Sequence, residues 1–174
     1  MLIAPTRLLT SLALMLLLAT RAIAQTELPS SPEAQLNEVR SLAASGDLKS
    51  IHELCYRYKY GKQAKRDYTE AMHWCTLAAE RGGDSSQVLL AEMYYNGQGV
   101  DKDPAKALHW YLMAADQDHP HALLMLYFMY DKGVGVEINR ERARSFLQAA
   151  AALDYKLAID ELARINSEKP GAVQ

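Results

Sequence analysis

The chain has 174 residues, with 19 Lys and Arg against 21 Asp and Glu and a net charge of −2. That length fits one domain rather than two, and the near-neutral balance lacks the basic excess of a nucleic-acid binder. With 49% apolar and 23% charged residues, six prolines and nine glycines, the composition is that of a globular chain, neither disordered nor collagen-like.

Residues 1–24 read as a secretory leader. Arg7 supplies positive charge, Leu8 to Ala19 is apolar apart from Thr10 and Ser11, and Ala22-Ile23-Ala24 offers small residues to a signal peptidase. The apolar core is shorter than the roughly 20 residues a membrane span needs. A cut after Ala24 makes Gln25 the first residue, with no Cys there for lipid attachment, and no later segment has the length of a span. The expectation is a periplasmic or secreted protein, without membrane insertion. Losing Arg7 and Arg21 and no acid leaves it two charges more negative. Export also sets the redox context of the two cysteines, Cys55 and Cys75. An even count in an oxidising compartment favours a disulfide, while free cysteines would serve as small buried hydrophobes.

Beyond the polar linker 25–31 the chain repeats every 36 residues. Trp74, Trp110 and Phe146 share one column, as do Gly61, Gly97 and Gly133; Tyr58, Tyr94 and Tyr130; Ala71, Ala107 and Ala143; and Ala79, Ala115 and Ala151. A period of 20–50 residues marks a solenoid, whose units bury their apolar faces only by stacking. The repeat domain spans 32–166. A lone helix at 32–45 carries Val39, Leu42 and Ala43 in second-helix columns. Units follow at 51–86, 87–122 and 123–158, and a capping helix at 155–166 carries Ile159, Leu162 and Ala163 in first-helix columns. Residues 167–174 form a Pro/Gly tail.

Each unit reads as two helices. In the second helix Ala107, Trp110, Tyr111, Ala114 and Ala115 make one apolar stripe, matched in the other units by Ala71, Trp74, Cys75, Ala78 and Ala79 and by Ala143, Phe146, Leu147, Ala150 and Ala151. Asp67, Asp103 and Asn139 stand at N-cap positions, Glu70 suits a capping box with Asp67, and Pro104 suits a first helical turn. The first helices carry Leu54 and Tyr58, Leu90 and Tyr94, Leu126 and Tyr130, and stop at the recurring glycines. Eight helices result, and the fold class is all-α.

Asn96-Gly97-Gln98-Gly99-Val100, Lys102-Asp103, Lys106-Ala107, Trp110-Tyr111 and Ala114-Ala115 resemble the Sel-1-like repeat family. The resemblance implies a right-handed, tetratricopeptide-like α-solenoid of antiparallel helix pairs. The outer units depart from the pattern: Gln63-Ala64 stands for Gly-Val, Ile138-Asn139 for Lys-Asp, and Tyr127 for the small residue found as Cys55 and Ala91. A phenol at 127 should push the third helix pair apart or turn toward the groove.

No catalytic constellation is present. His73 and His109 share a column a repeat apart, and His119-Pro120-His121 lies at a turn, short of the three or four convergent ligands of a zinc site. No Ser-x-x-Lys follows the leader, and no Gly-x-Ser-x-Gly occurs. The expectations are no metal, no cofactor and no nucleic acid. The family implies a non-enzymatic adaptor of the cell envelope that binds another protein, and the chain is expected to be a monomer. It also implies one alternative, since some cysteine-rich secreted members are linked to penicillin binding or β-lactam hydrolysis. Those carry a cysteine pair per repeat, and here only the first unit has one. In such solenoids the first helices line the concave groove, which selects His52, Tyr56, Lys59 and Tyr60, then Val88, Glu92 and Tyr95, then His121, Leu124 and Phe128. Tyr56, Tyr95 and Phe128 would anchor a partner unless they pack between repeats. Finally, Cys55 and Cys75 lie on the antiparallel helices of unit one at matching height, about the turn near residue 65. They are expected to bond if their Cα atoms come within about 4.4–6.8 Å.

Overall fold

The computed structural model describes residues 31–167, and every regular element in them is an α-helix. They are α1 (Pro32–Ala44), α2 (Leu48–Tyr60), α3 (Tyr68–Glu80), α4 (Asp84–Asn96), α5 (Pro104–Ala115), α6 (Pro120–Lys132), α7 (Arg140–Ala152) and α8 (Lys156–Ser167). The expected leader 1–24, the linker up to residue 30 and the tail from 168 lie outside the described residues.

Caps fix the period. Ser31, Asp67, Asp103 and Asn139, each 36 residues apart, accept backbone N–H groups at the starts of α1, α3, α5 and α7. Such a cap satisfies donors that a helix start otherwise leaves unpaired. The expected return half of the Asp67–Glu70 capping box is not made. The Glu70 carboxylate instead accepts from Trp74 Nε1 at 3.0 Å, one turn along. The first helices end on Gly61, Gly97 and Gly133 at φ near +70°. The loops after them close with one recurring bond, from Asp67 N to Tyr58 O, Asp103 N to Tyr94 O and Asn139 N to Tyr130 O, at 2.9–3.0 Å. Gly99 and Gly135 lie against the preceding repeat so closely that a Cβ would come within 2.6 Å of Tyr68 O and 2.5 Å of Pro104 O.

Each helix packs on its sequence neighbours, tightest within the pairs α2/α3, α4/α5 and α6/α7, and first helix α2 also touches first helix α4. Two buried clusters form the core. Ile51, Leu54, Leu90 and Met93 dominate one and Tyr111, Leu126, Met129 and Leu147 the other, with half-buried Tyr94 and Trp110 packed against both. Within the first cluster Cys55 and Cys75 form a disulfide across α2 and α3, with Cα atoms 4.7 Å apart, and both are fully buried. Tyr127 does not pry its helix pair open. Its ring lies on the first-helix side beside Phe128, and its hydroxyl donates to Glu161 of α8 at 2.8 Å.

Candidate partner-binding face

The first helices α2, α4, α6 and α8 are stitched edge to edge by polar side chains 32 to 34 residues apart. His52 Nδ1 meets Ser86 Oγ at 2.7 Å, Lys59 Nζ donates to Glu92, Tyr60 donates to Glu92 at 3.3 Å, and His121 Nδ1 meets the Tyr155 hydroxyl at 3.2 Å. Glu92 is the hub, because its other oxygen lies 3.4 Å from His121 Nε2. One carboxylate on α4 thus joins α2 to α6.

Burial raises the Glu92 carboxyl, but the hydrogen bond from His121 and the charge and hydrogen bond of Lys59 outweigh it and hold it down to about 2. Burial also lowers the Lys59 ammonium, against the pull of Glu92. For the pair, the direction that stands is a carboxylate kept charged, since it has several donors around it. Burial and the nearby Glu92 push the Tyr60 phenol up to about 12.

The expected groove residues divide into two groups. Tyr56 and Phe128 stand 40% and 39% exposed, and Tyr60 is equally open. The Tyr56 and Tyr60 rings sit 4.8 Å apart, as do those of Tyr127 and Phe128. His52, Glu92, Tyr95 and His121 are half-buried, with the Lys102 ammonium over the Tyr95 ring. Lys59, Val88 and Leu124 depart from the expectation, being no more than 5% exposed. Lys59 turns sideways to Glu92, and Val88 and Leu124 enter the core where successive first helices meet. Near Phe128 a cavity of about 340 Å³ opens between α6, α7 and α8, lined also by Leu147, Ile165, Arg140 and Arg144.

Sequence reasoning missed Ser86, Tyr155 and Glu161 as partners of this face. Their signal is a spacing two residues short of the period, which brings a side chain opposite one on the previous first helix. Among the described residues no group of three or more His, Cys, Asp or Glu is placed to hold a metal ion. No helix there is long and apolar enough to cross a membrane.

A stack of helix pairs with a 36-residue period, its first helices laced together on one side, is an α-solenoid of the kind that presents an extended surface. The Sel1 repeat family model matches residues 48–83, 84–119 and 120–155, a frame that opens three residues before the units read from the sequence. The chain belongs to the Sel1 repeat family. Proteins of this family are typically protein-interaction scaffolds and generally non-enzymatic. The chain is 36% identical to a Sel1 repeat protein from Oxalobacter formigenes, with a TM-score of 0.67, over 75% of this chain and 98% of that one. It is also 36% identical to c5321, a protective antigen present in uropathogenic Escherichia coli strains, with a TM-score of 0.66 over 68% of this chain. It spans only about a quarter of that antigen's length. Cysteine rich protein B of Helicobacter pylori shares the fold at 22% identity and a TM-score of 0.56, over 66% of this chain and 93% of that one. No curated protein matches the chain.

Proposed function

We propose that this protein is a non-enzymatic scaffold of the bacterial cell envelope that holds a segment of another protein against its first-helix face. The observation that carries the reading is the exposed Tyr56–Tyr60 pair and the exposed Phe128 ring, seated on buried Tyr127, flanking the half-buried Glu92 hub. Rigid aromatic rings next to a fixed polar network suit interface anchors, which cost little entropy to immobilise. The buried disulfide and the leader-like residues 1–24 support export, because such bonds persist in oxidising compartments.

The test places a photo-crosslinking amino acid at Tyr56 and, as control, at exposed His73 on α3. The partner should be trapped from Tyr56 and not from His73. Tyr56→Ala and Phe128→Ala should each weaken capture by about 2 kcal/mol, near thirtyfold, with the melting temperature within a few degrees of the parent. Equal trapping at both positions, or melting temperatures lowered by ten degrees, would place the rings in packing rather than recognition.

A further inference from the structure

The two ends of the solenoid are out of phase in a complementary way. Ser31 caps α1 in the register of Asp67, Asp103 and Asn139, and Pro32 stands in the column of Pro104, so among the described residues α1 is a second helix with no first helix before it. In turn α8 begins 36 residues after α6 and, among the described residues, is a first helix with no second helix after it. The most extensive packing of each is on its single sequence neighbour, α2 and α7 respectively, and α8 also meets α6 through the Tyr127–Glu161 hydrogen bond.

The open faces are those that every inner helix buries. Leu42 of α1 is 47% exposed, whereas its column mates Ala78, Ala114 and Ala150 are 0% exposed. Since α1 does have the following first helix α2 beside it, what covers that column elsewhere is the first helix of the same pair. On α8, Ile159 is 44% exposed, against 0% to 5% for Ile51, Gln87 and Leu123. Ala163 is likewise exposed, where Cys55, Ala91 and Tyr127 are buried. The preceding helix α7 is in place, so the missing cover is a second helix. Ile159, Leu162 and Ala163 repeat the Ile51, Leu54 and Cys55 stripe of the first pair, in which all three are fully buried.

We infer that α8 of one molecule pairs with α1 of a second copy, completing a Sel1 repeat in trans. The antiparallel register that sets Cys55 on Cys75 would put Ala163 against Val39 and Ile159 beside Leu42. The occupant is specified by the repeat itself: the side of α2, α4 and α6 that corresponds to this open side of α8 is covered by the second helix of the same pair, and the other end of the same chain presents a second helix. The E. coli relative, about four times the length of the matched segment, is a family member in which chain continues past a stretch of this size. Because the contact joins unlike surfaces and repeats the solenoid's own step from one unit to the next, each added molecule presents a fresh open end and the contact propagates as short linear stacks. This surface is separate from the first-helix face and does not rest on the proposed function.

Sedimentation of the purified protein over a wide concentration range tests the inference. The weight-average mass should climb with concentration and pass beyond a dimer. Leu42→Asp, which spoils α1, and Ile159→Asp, which spoils α8, should each give a monomer at concentrations where the parent associates, with helical circular dichroism retained. Mixed together, the two variants should form a dimer and nothing larger, because one intact α8 and one intact α1 remain. A parent that stays monomeric to about millimolar concentration overturns the proposal. So does a variant that associates alone as the parent does, or a mixture of folded variants that stays monomeric.

Discussion

Replacing Glu92 by Gln removes the carboxylate on α4 that joins α2 to α6. Folded Glu92 titrates near 2 against an ordinary value of 4.5, and about 1.4 kcal/mol per pH unit makes that ~3 kcal/mol of stability at neutral pH. The burial cost of Lys59 offsets part of this in the parent. In Glu92→Gln, however, that ammonium stays buried without its counter-charge, and breaking a buried pair typically costs about 3–5 kcal/mol. The half-buried position of Glu92 argues for the lower figure, so a loss of about 3 kcal/mol is expected, or a melting temperature lower by about 10 °C. The pH dependence has a definite sign. A carboxyl depressed in the folded state stabilises above its unfolded value and loses that contribution as pH falls through the folded one. The gap between parent and variant should therefore be full above about pH 5 and shrink toward pH 2. Adding Lys59→Met to Glu92→Gln should recover part of the loss by removing the stranded charge. Thermal melts followed by circular dichroism at pH 7, 5 and 3 measure all of this. A Glu92→Gln melting temperature equal to the parent's at pH 7, or a gap that does not narrow on acidification, would refute the argument.

Reducing the Cys55–Cys75 bond, which closes 20 residues of sequence, should cost about 3 kcal/mol. Thiol titration of denatured, never-reduced protein should find no free thiol. Gly99→Ala and Gly135→Ala should each destabilise by about 2 kcal/mol or more, read from denaturant midpoints, since both have positive φ and a Cβ would strike backbone of the preceding repeat. Tyr111→Phe should leave stability unchanged or raise it by about 1 kcal/mol in the same assay. Its hydroxyl is buried with no hydrogen-bond partner among the described residues, so deleting it removes an uncompensated desolvation cost.

What could be read from the sequence was whatever the period repeats. The alanine column at 71, 107 and 143 is buried throughout, and each glycine or cap residue meets the same local demand three times. A single sequence then carries three independent measurements of one position. The bonding of Cys55 to Cys75 follows from the same cause, since helix pairing within a unit fixes relative height before anything is known of neighbouring units. The proposed binding face obeys a different rule. Whether Lys59 reaches solvent or Glu92, and whether Val88 and Leu124 lie open, depends on the angle between successive first helices. Across that junction run non-repeating side chains such as Tyr60, His121 and Tyr155. In the Tyr56 column the three units carry Tyr, Glu and Phe, and in the His52 column His, Val and Leu. These are the columns with no consensus, and a position that differs in every copy gives periodicity nothing to average. The same variation is what allows a repetitive scaffold to be specific. Identical units would present one chemical surface three times over, whereas this face offers an aromatic pair, a charged hub and an aromatic-edged cavity in succession. The part of the molecule hardest to infer from its repeats is therefore the part best suited to discriminate between partners.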